Sequence, residues 1–174
     1  GNRTDYILDH IRAEVNILIL GARSGFIRRI VRQTNNQLSY YVVDKLRPDI
    51  NDCNIEYFCN DLNNIMPFSD SLFDCIVSDQ LIEHLTNPDM LLKEMKRVAR
   101  NKCKVILGSE NLAAWHNIIA LTLGLHPFSD HYSEYIRVGN PLSIHNKKEF
   151  QRPYARHCKL PTVRVLKELM QYYR

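Results

Sequence analysis

The chain has 174 residues, 45% of them hydrophobic and 24% charged, with a formal net charge of +4. That is enough apolar surface for the core of one globular domain, and no apolar run approaches the roughly 20 residues that span a bilayer. The charge is too mild to demand an anionic partner. Thr4 is placed to cap a short helix reaching Ala13. VNILIL, ending at Leu20, is fully apolar and of strand length, the pattern of a strand buried on both faces. Gly21 follows it. From Gly25 the pattern becomes helical, with Phe26, Ile27, Ile30 and Val31 on one side.

LSYYVVD predicts a second strand ending in Asp44, NIEYFCND a third ending in Asp61, and LFDCIVSD a fourth ending in Asp79. Asn87 is a helix cap, with Pro88 at the first position and Asp89 in the first turn. Met90, Leu91, Met95, Val98 and Ala99 form that helix's apolar stripe, and Lys96, Arg97 and Arg100 close its basic end. CKVILGS predicts a fifth strand, and NLAAWHNIIALTL a helix stopped by Gly124. From Leu125 to Lys159 periodicity fails. A last helix follows, capped by Thr162.

Alternating strands and helices predict an α/β fold with an open, doubly wound, mostly parallel sheet and helices on both faces. Ligands of such sheets lie beyond the carboxyl ends of the strands. Gly21, Asp44, Asp61 and Asp79 stand at those ends. Gly21 reaches backbone angles closed to other residues, and Gly25 lets the helix start close to the strand. The N–H groups of that turn can hold an anionic group. Asp44, about 20 residues beyond the glycines, is placed to accept from ribose hydroxyls.

Other features carry less. GNRTDYILDH has no apolar stretch of the signal-peptide kind. Five cysteines (Cys53, Cys59, Cys75, Cys103 and Cys158) form no C-x-x-C pair, so reduced thiols in a cytoplasmic protein are expected. His126, His131, His145 and His157 have spacings that fit no common zinc pattern, and no metal is expected. Lys147, Lys148, Arg152, Arg156 and Lys159 make a basic stretch. A solvated face is its simplest reading, a phosphate-bearing acceptor the next. Nucleic acid is weaker, because only Phe150 and Tyr154 interleave. Trp115 is expected in the core or a pocket wall, and His116 is a candidate base.

The order of these motifs resembles the class I S-adenosylmethionine-dependent methyltransferases, of the group called methyltransferase 11 or 12. ILILGARSGF is similar to the family's first motif, hydrophobics followed by D-x-G-x-G-x-G, and VVDK resembles the acidic second motif. The long stretch NDLNNIMPFSDSLFDCIVSDQLIEHLTNPDMLLKEMKRVARNKCKVILGS follows the family's order: an acid, Pro-Phe, S-F-D, an apolar strand, E-H, a Pro, and a helix leading to R-V. A nicotinamide dinucleotide protein has no counterpart to that stretch. The resemblance implies S-adenosylmethionine as cofactor and S-adenosylhomocysteine as product. It implies that Gly21, Ala22, Arg23 and Gly25 face the methionine portion and that Asp44 binds the ribose. Asp61 and Leu62 would take the adenine, Asp79 and Gln80 would border the methionine end, and His84 would lie near the reacting centre.

Two departures stand out: Leu20 and Arg23 replace an acid and a glycine of the first motif, and no terminal hairpin is found before Arg174. The sheet is therefore expected to have five strands, with the edge of the fifth covered by residues 125–159 or by a second copy in a homodimer. The expected organisation is a single domain over 1–174. It comprises a cofactor-binding core over 14–124, an irregular lid or acceptor-side segment over 125–160 and a terminal helix over 161–174. The function expected is methyl transfer to a small-molecule or lipid- or sugar-linked acceptor. The alternative is a non-catalytic relative that binds S-adenosylhomocysteine or a protein partner.

Overall fold

The computed structural model describes residues 3–11, 16–21, 26–27, 29–30, 38–47, 54–130, 132–133, 135–149 and 157–173. The chain divides into two compact units, Gly1–Leu81 with Asn87–Gly108, and Ile82–Thr86 with Ser109–Arg174.

The first unit contains a five-stranded parallel sheet. Its strands are β1 (Asn16–Leu20), β2 (Ser39–Asp44), β3 (Ile55–Cys59), β4 (Phe73–Asp79) and β5 (Ala99–Gly108). They lie in the order β3-β2-β1-β4-β5. Helix α1 (Arg3–Ile11) precedes β1, and α2 (Pro88–Val98) precedes β5. This is the Rossmann-like, doubly wound architecture expected from the alternating pattern. The strand order reverses between β1 and β4, so the crevice that receives ligands in such sheets opens beyond those two strands.

Strand residues alternate faces, and the two faces bury different chemistry. On one, Ile17, Ile19, Tyr40, Val42, Cys75 and Val77 form an aliphatic core with Ile7 and Ile11 of α1 and with Ile27 and Ile30. On the other lie Tyr41 of β2 and Phe58 of β3; Phe73, at the start of β4 before the register irregularity, departs from the alternation and meets Tyr41 edge-on at 5.2 Å, and Phe68 meets both Phe58 and Phe73. Helix α2 is tied to this aromatic side through Arg97, which donates to the Phe68 and Met66 carbonyls at 2.7 and 3.1 Å. Arg97 also pairs with Glu94 at 2.7 Å and Asp70 at 2.7 Å. Glu94 is buried and accepts from the Met66 N–H at 2.7 Å. Bonds from Arg97 hold the Glu94 carboxyl below the usual range against the opposing effect of burial. Arg97 is thus a clamp on the 66–70 turn as well as a basic residue at the helix end.

Two of the three expected caps hold, whereas Thr4 lies inside α1, which starts at Arg3. Asn87 accepts from the Met90 N–H with Pro88 at the first position, and Thr162 accepts from the Val165 N–H. Two boundaries move by four residues. Strand β5 starts at Ala99, directly on the end of α2, instead of at Cys103. Ala99 pairs with Phe73, and a register shift then precedes the Cys75–Lys104 pair. Lys102 takes φ 68° in this irregularity.

The described part of the second unit contains a 3-10 turn at Ile82–His84, α3 (Trp115–Thr122) and α4 (Val163–Tyr172). Helix α3 begins four residues later than NLAAWHNIIALTL predicts. The Asn111 side chain accepts from the Ala113 N–H, and its carbonyl accepts from the Ala114 N–H, which ties residues 111–114 into a turn. Gly124 stops the helix in the left-handed region, at φ 71°. Between the helices, Ile136 and Glu149 form an antiparallel bridge, flanked by backbone bonds between Arg137 and Lys147 and Lys148.

Candidate functional site

The carboxyl edge of the sheet is built by register. Leu20 pairs with Val43 on one side and Ser78 on the other, and Asp79 pairs with Gly108. Gly21, Asp44, Asp79 and Gly108 therefore stand on one edge, on strands spaced about 4.8 Å apart. Gly21 has φ 74°, and its N–H donates to the Val43 carbonyl at 2.9 Å. A Cβ there would stand 3.0 Å from Leu81 Cδ1 and 3.1 Å from Leu81 Cβ. Glycine is required by angle and by space, and it leaves the backbone bare at the mouth of the crevice.

Asp44 ends β2. Its Oδ1 accepts from the Leu46 N–H at 3.2 Å, and its carbonyl accepts from Tyr57 Oη at 2.7 Å. Burial, then the neighbouring Cys59 and Asp44, push the Tyr57 phenol up to about 12, so it stays a neutral donor. Asp61 lies two residues beyond β3, in the turn that follows. Its Oδ1 accepts from the backbone and side chain of Asn63, both at 2.9 Å, and its Oδ2 pairs with Lys45 at 3.0 Å. Burial alone would raise the Asp61 carboxyl; the Asn63 and Lys45 contacts outweigh it and hold it below its ordinary value. Leu62 is buried beside it.

Asp79 ends β4 against Gly108, where an added Cβ would collide with Asp79 Oδ1. Gln80 follows in the left-handed region, φ 56°, with its N–H on the Gly108 carbonyl at 2.9 Å. A non-glycine residue held at such an angle stores local strain, a feature that clusters at ligand sites. The structure thus brings Gly21, Asp44, Asp79 and Gln80 to one edge, with Asp61 and Leu62 in the turn after the neighbouring strand. Ala22, Arg23 and Gly25 lie outside the described residues. Gly108 and Leu81 were not singled out from sequence; neither carries a motif, and only the packing reveals them.

His84 and His116 belong to the second unit, and one chain of contacts joins them there. His116 Nε2 lies 3.3 Å from Ser129 Oγ, and His157 Nδ1 lies 2.6 Å from the Ser129 carbonyl. The His157 and His84 ring centres lie 4.8 Å apart, with the rings tilted by 51°. Burial, followed by the adjacent His84, pushes the His157 imidazole down from its ordinary value. Trp115 is 74% exposed, contrary to the core or pocket wall expected, and stands edge-on to His116. It occupies the first turn of a helix whose buried residues are Asn117 and Ala120. Among the described residues, no helix is long and apolar enough to cross a membrane.

A family profile described as a methyltransferase domain matches residues 19–107, just over half of the chain. No curated protein matches its sequence at a significant level. Among solved structures, YcgJ from Bacillus subtilis is similar over 98% of this chain and 66% of its own, with TM-score 0.64 and 14% identity. BH2331 from Bacillus halodurans C-125 matches over 71% of this chain and 57% of its own, with TM-score 0.54 and 19% identity. The cyclase SpnF matches over 98% and 54%, with TM-score 0.60 and 12% identity. The chain spans between about half and two thirds of the length of these structures. At such identities the likeness is one of fold, and a cyclase among them shows that the fold alone does not fix the reaction.

Proposed function

We propose that this chain, which belongs to the methyltransferase domain family, uses S-adenosylmethionine to methylate a small-molecule or lipid- or sugar-linked acceptor. The observation that carries the reading is the single carboxyl edge on which Gly21, Asp44 and Asp79 stand together, at the point where the strand order reverses. In this reading the bare backbone at Gly21, with Ala22, Arg23 and Gly25 of the same motif, takes the methionine portion. Asp44, one strand away, accepts from the ribose hydroxyls. Asp61 takes the adenine amino group, with the Leu62 N–H toward the ring. That step displaces the exposed Lys45 ion pair, which costs little because such pairs contribute about 0–1 kcal/mol.

When bound, the cofactor supplies a methyl group already activated by its sulfonium, so alignment and exclusion of water are the protein's main tasks. Asp79 and Gln80 border that end, and the Asp79 carboxylate is of the sign that favours a nearby cation. His116 and His84 are the imidazoles proposed to take the acceptor's proton. Among the described residues Cys59, Cys75, Cys103 and Cys158 form no disulfide, which fits a reducing, cytoplasmic setting.

The test is incubation of the protein and methyl-labelled S-adenosylmethionine with fractionated small molecules. Label should appear in a low-molecular-weight or lipid-soluble product, and Asp44→Ala should remove it. Binding of the cofactor without transfer to any fraction would select the non-catalytic alternative. Label on nucleic acid alone would contradict the acceptor class.

A further inference from the structure

We propose that Glu83, His84 and His157 form a binding site for a divalent metal ion of the zinc type. Each offers one ligand atom, and these atoms all lie within 4.8 Å of one another. In a tetrahedral zinc site, with donors about 2.1 Å from the ion, neighbouring donors stand about 3.4 Å apart. Small rotations of the half-buried imidazoles close that difference.

Three further features indicate a built site. The first is the Glu83 carboxylate, which has no exposed surface. Its Oε2 accepts from Ser109 Oγ at 2.9 Å, while its Oε1 has no hydrogen-bond partner among the described residues. An orphaned, fully buried carboxylate oxygen is costly, and a cation is the strongest remedy for it.

The second is the tautomer of His157. Its Nδ1 lies 2.6 Å from the Ser129 carbonyl, an oxygen that can only accept. Nδ1 therefore carries the proton, and the Nε2 lone pair is presented as a ligand. This is the backbone-anchored arrangement that orients metal-binding histidines. The third is the clip that brings the segments together. The Cys158 and Lys159 N–H groups donate to the Glu83 carbonyl at 2.6 and 3.2 Å, and Cys158 Sγ to the His84 carbonyl at 3.4 Å. These bonds set His157 against the Glu83–His84 turn without using any ligand atom.

Two imidazoles and one carboxylate suit zinc and its neighbours, and not the all-oxygen preference of calcium or magnesium. Three protein ligands leave a position open for water or for an oxygen of a bound molecule, as in catalytic rather than closed structural sites. Occupation of His84 by a metal leaves His116 as the base of the transfer proposed above. The metal site itself does not depend on that transfer, and its test involves no cofactor.

The metal-free protein is titrated with Zn2+ by calorimetry and with Co2+ by visible absorption, with Mg2+ as control. One equivalent of Zn2+ should bind at micromolar or tighter affinity. Co2+ should give d–d bands of a low-coordinate site, and Mg2+ should give neither response. His84→Ala and His157→Ala should each weaken Zn2+ at least about tenfold, and Glu83→Gln should do the same where it folds. Absence of stoichiometric Zn2+ binding by the wild-type protein would overturn the proposal. So would full-affinity binding by the folded histidine variants, which would place the ion elsewhere, for example on the exposed thiols of Cys59 and Cys158.

Discussion

Replacing Gly21 by alanine tests the geometry of the carboxyl edge. The residue has φ 74°, and an L-residue in the left-handed region costs about 1–2 kcal/mol. The new Cβ would also meet Leu81 Cδ1 at 3.0 Å and Leu81 Cβ at 3.1 Å. Cδ1 can rotate away, but Cβ is fixed to the backbone, and the overpacking adds about 1 kcal/mol, the low end for such insertions. Gly21→Ala should therefore destabilise the protein by about 2–3 kcal/mol. Urea unfolding followed by far-UV circular dichroism reads this as a lower midpoint at unchanged slope. Combining Gly21→Ala with Leu81→Ala removes the Cδ1 contact, so the double mutant should lose less than the sum of the single losses, by about 0.5–1 kcal/mol. The Gly21 N–H holds the end of β1 to the Val43 carbonyl, next to Asp44, so the strain should also reach cofactor binding. A loss below about 0.5 kcal/mol would refute the angle, and strict additivity with Leu81→Ala would refute the close approach.

Asp44→Ala should weaken S-adenosylhomocysteine binding by about 1–3 kcal/mol, the cost of a charge-assisted hydrogen bond, with little loss of stability; unchanged affinity would remove Asp44 from the site. Arg23→Gly should tighten the same binding, because a glycine there lets the backbone approach the ligand; weaker binding would show that Arg23 instead holds the cofactor carboxylate. Glu94→Gln should destabilise the protein by about 2–3 kcal/mol at pH 7, less than the roughly 3–5 of fully buried pairs because Arg97 keeps 28% side-chain exposure. The folded carboxyl lies below its ordinary value, so its contribution is complete above the unfolded pKa and fades as pH falls through the folded one; the gap between wild type and variant in urea midpoints should close in acid and stay constant above neutrality. Strand β5 is an edge strand with no buried residue, and light scattering at micromolar concentration should detect a dimer formed on that edge; a strict monomer would leave the dimer without support.

Much of the sheet was legible in the chain because its strands are unusually uniform. NILIL and the apolar centres of β2 and β4 have the length and β-branched content of buried strands, and Asn87-Pro88 and Thr162 announce their helices by side-chain chemistry. The start of β5 was hidden because Arg100, Asn101 and Lys102 are polar and exposed, and the pairing there depends on a register shift that only the partner strand reveals. The start of α3 was hidden by an Asn111 turn that competes locally with the helix.

At the carboxyl edge, Gly21, Asp44 and Asp79 could be read from their position after apolar runs. Gln80 came only through the family resemblance, with no sign of its left-handed backbone, and Gly108 and Leu81, which matter through backbone geometry and packing, could not be read at all. The Glu83–His84–His157 cluster escaped for a different reason. Its ligands come from segments far apart in the chain, joined by backbone bonds to the Glu83 carbonyl that no residue identity encodes.

The central claim is that the carboxyl edge of this sheet holds S-adenosylmethionine. Calorimetric titration with S-adenosylmethionine and S-adenosylhomocysteine, with NAD as the control, tests it most directly. The account predicts one-to-one binding of both sulfur compounds at micromolar or tighter affinity and no heat with NAD. Binding of NAD, or of none of the three by the folded protein, would contradict it.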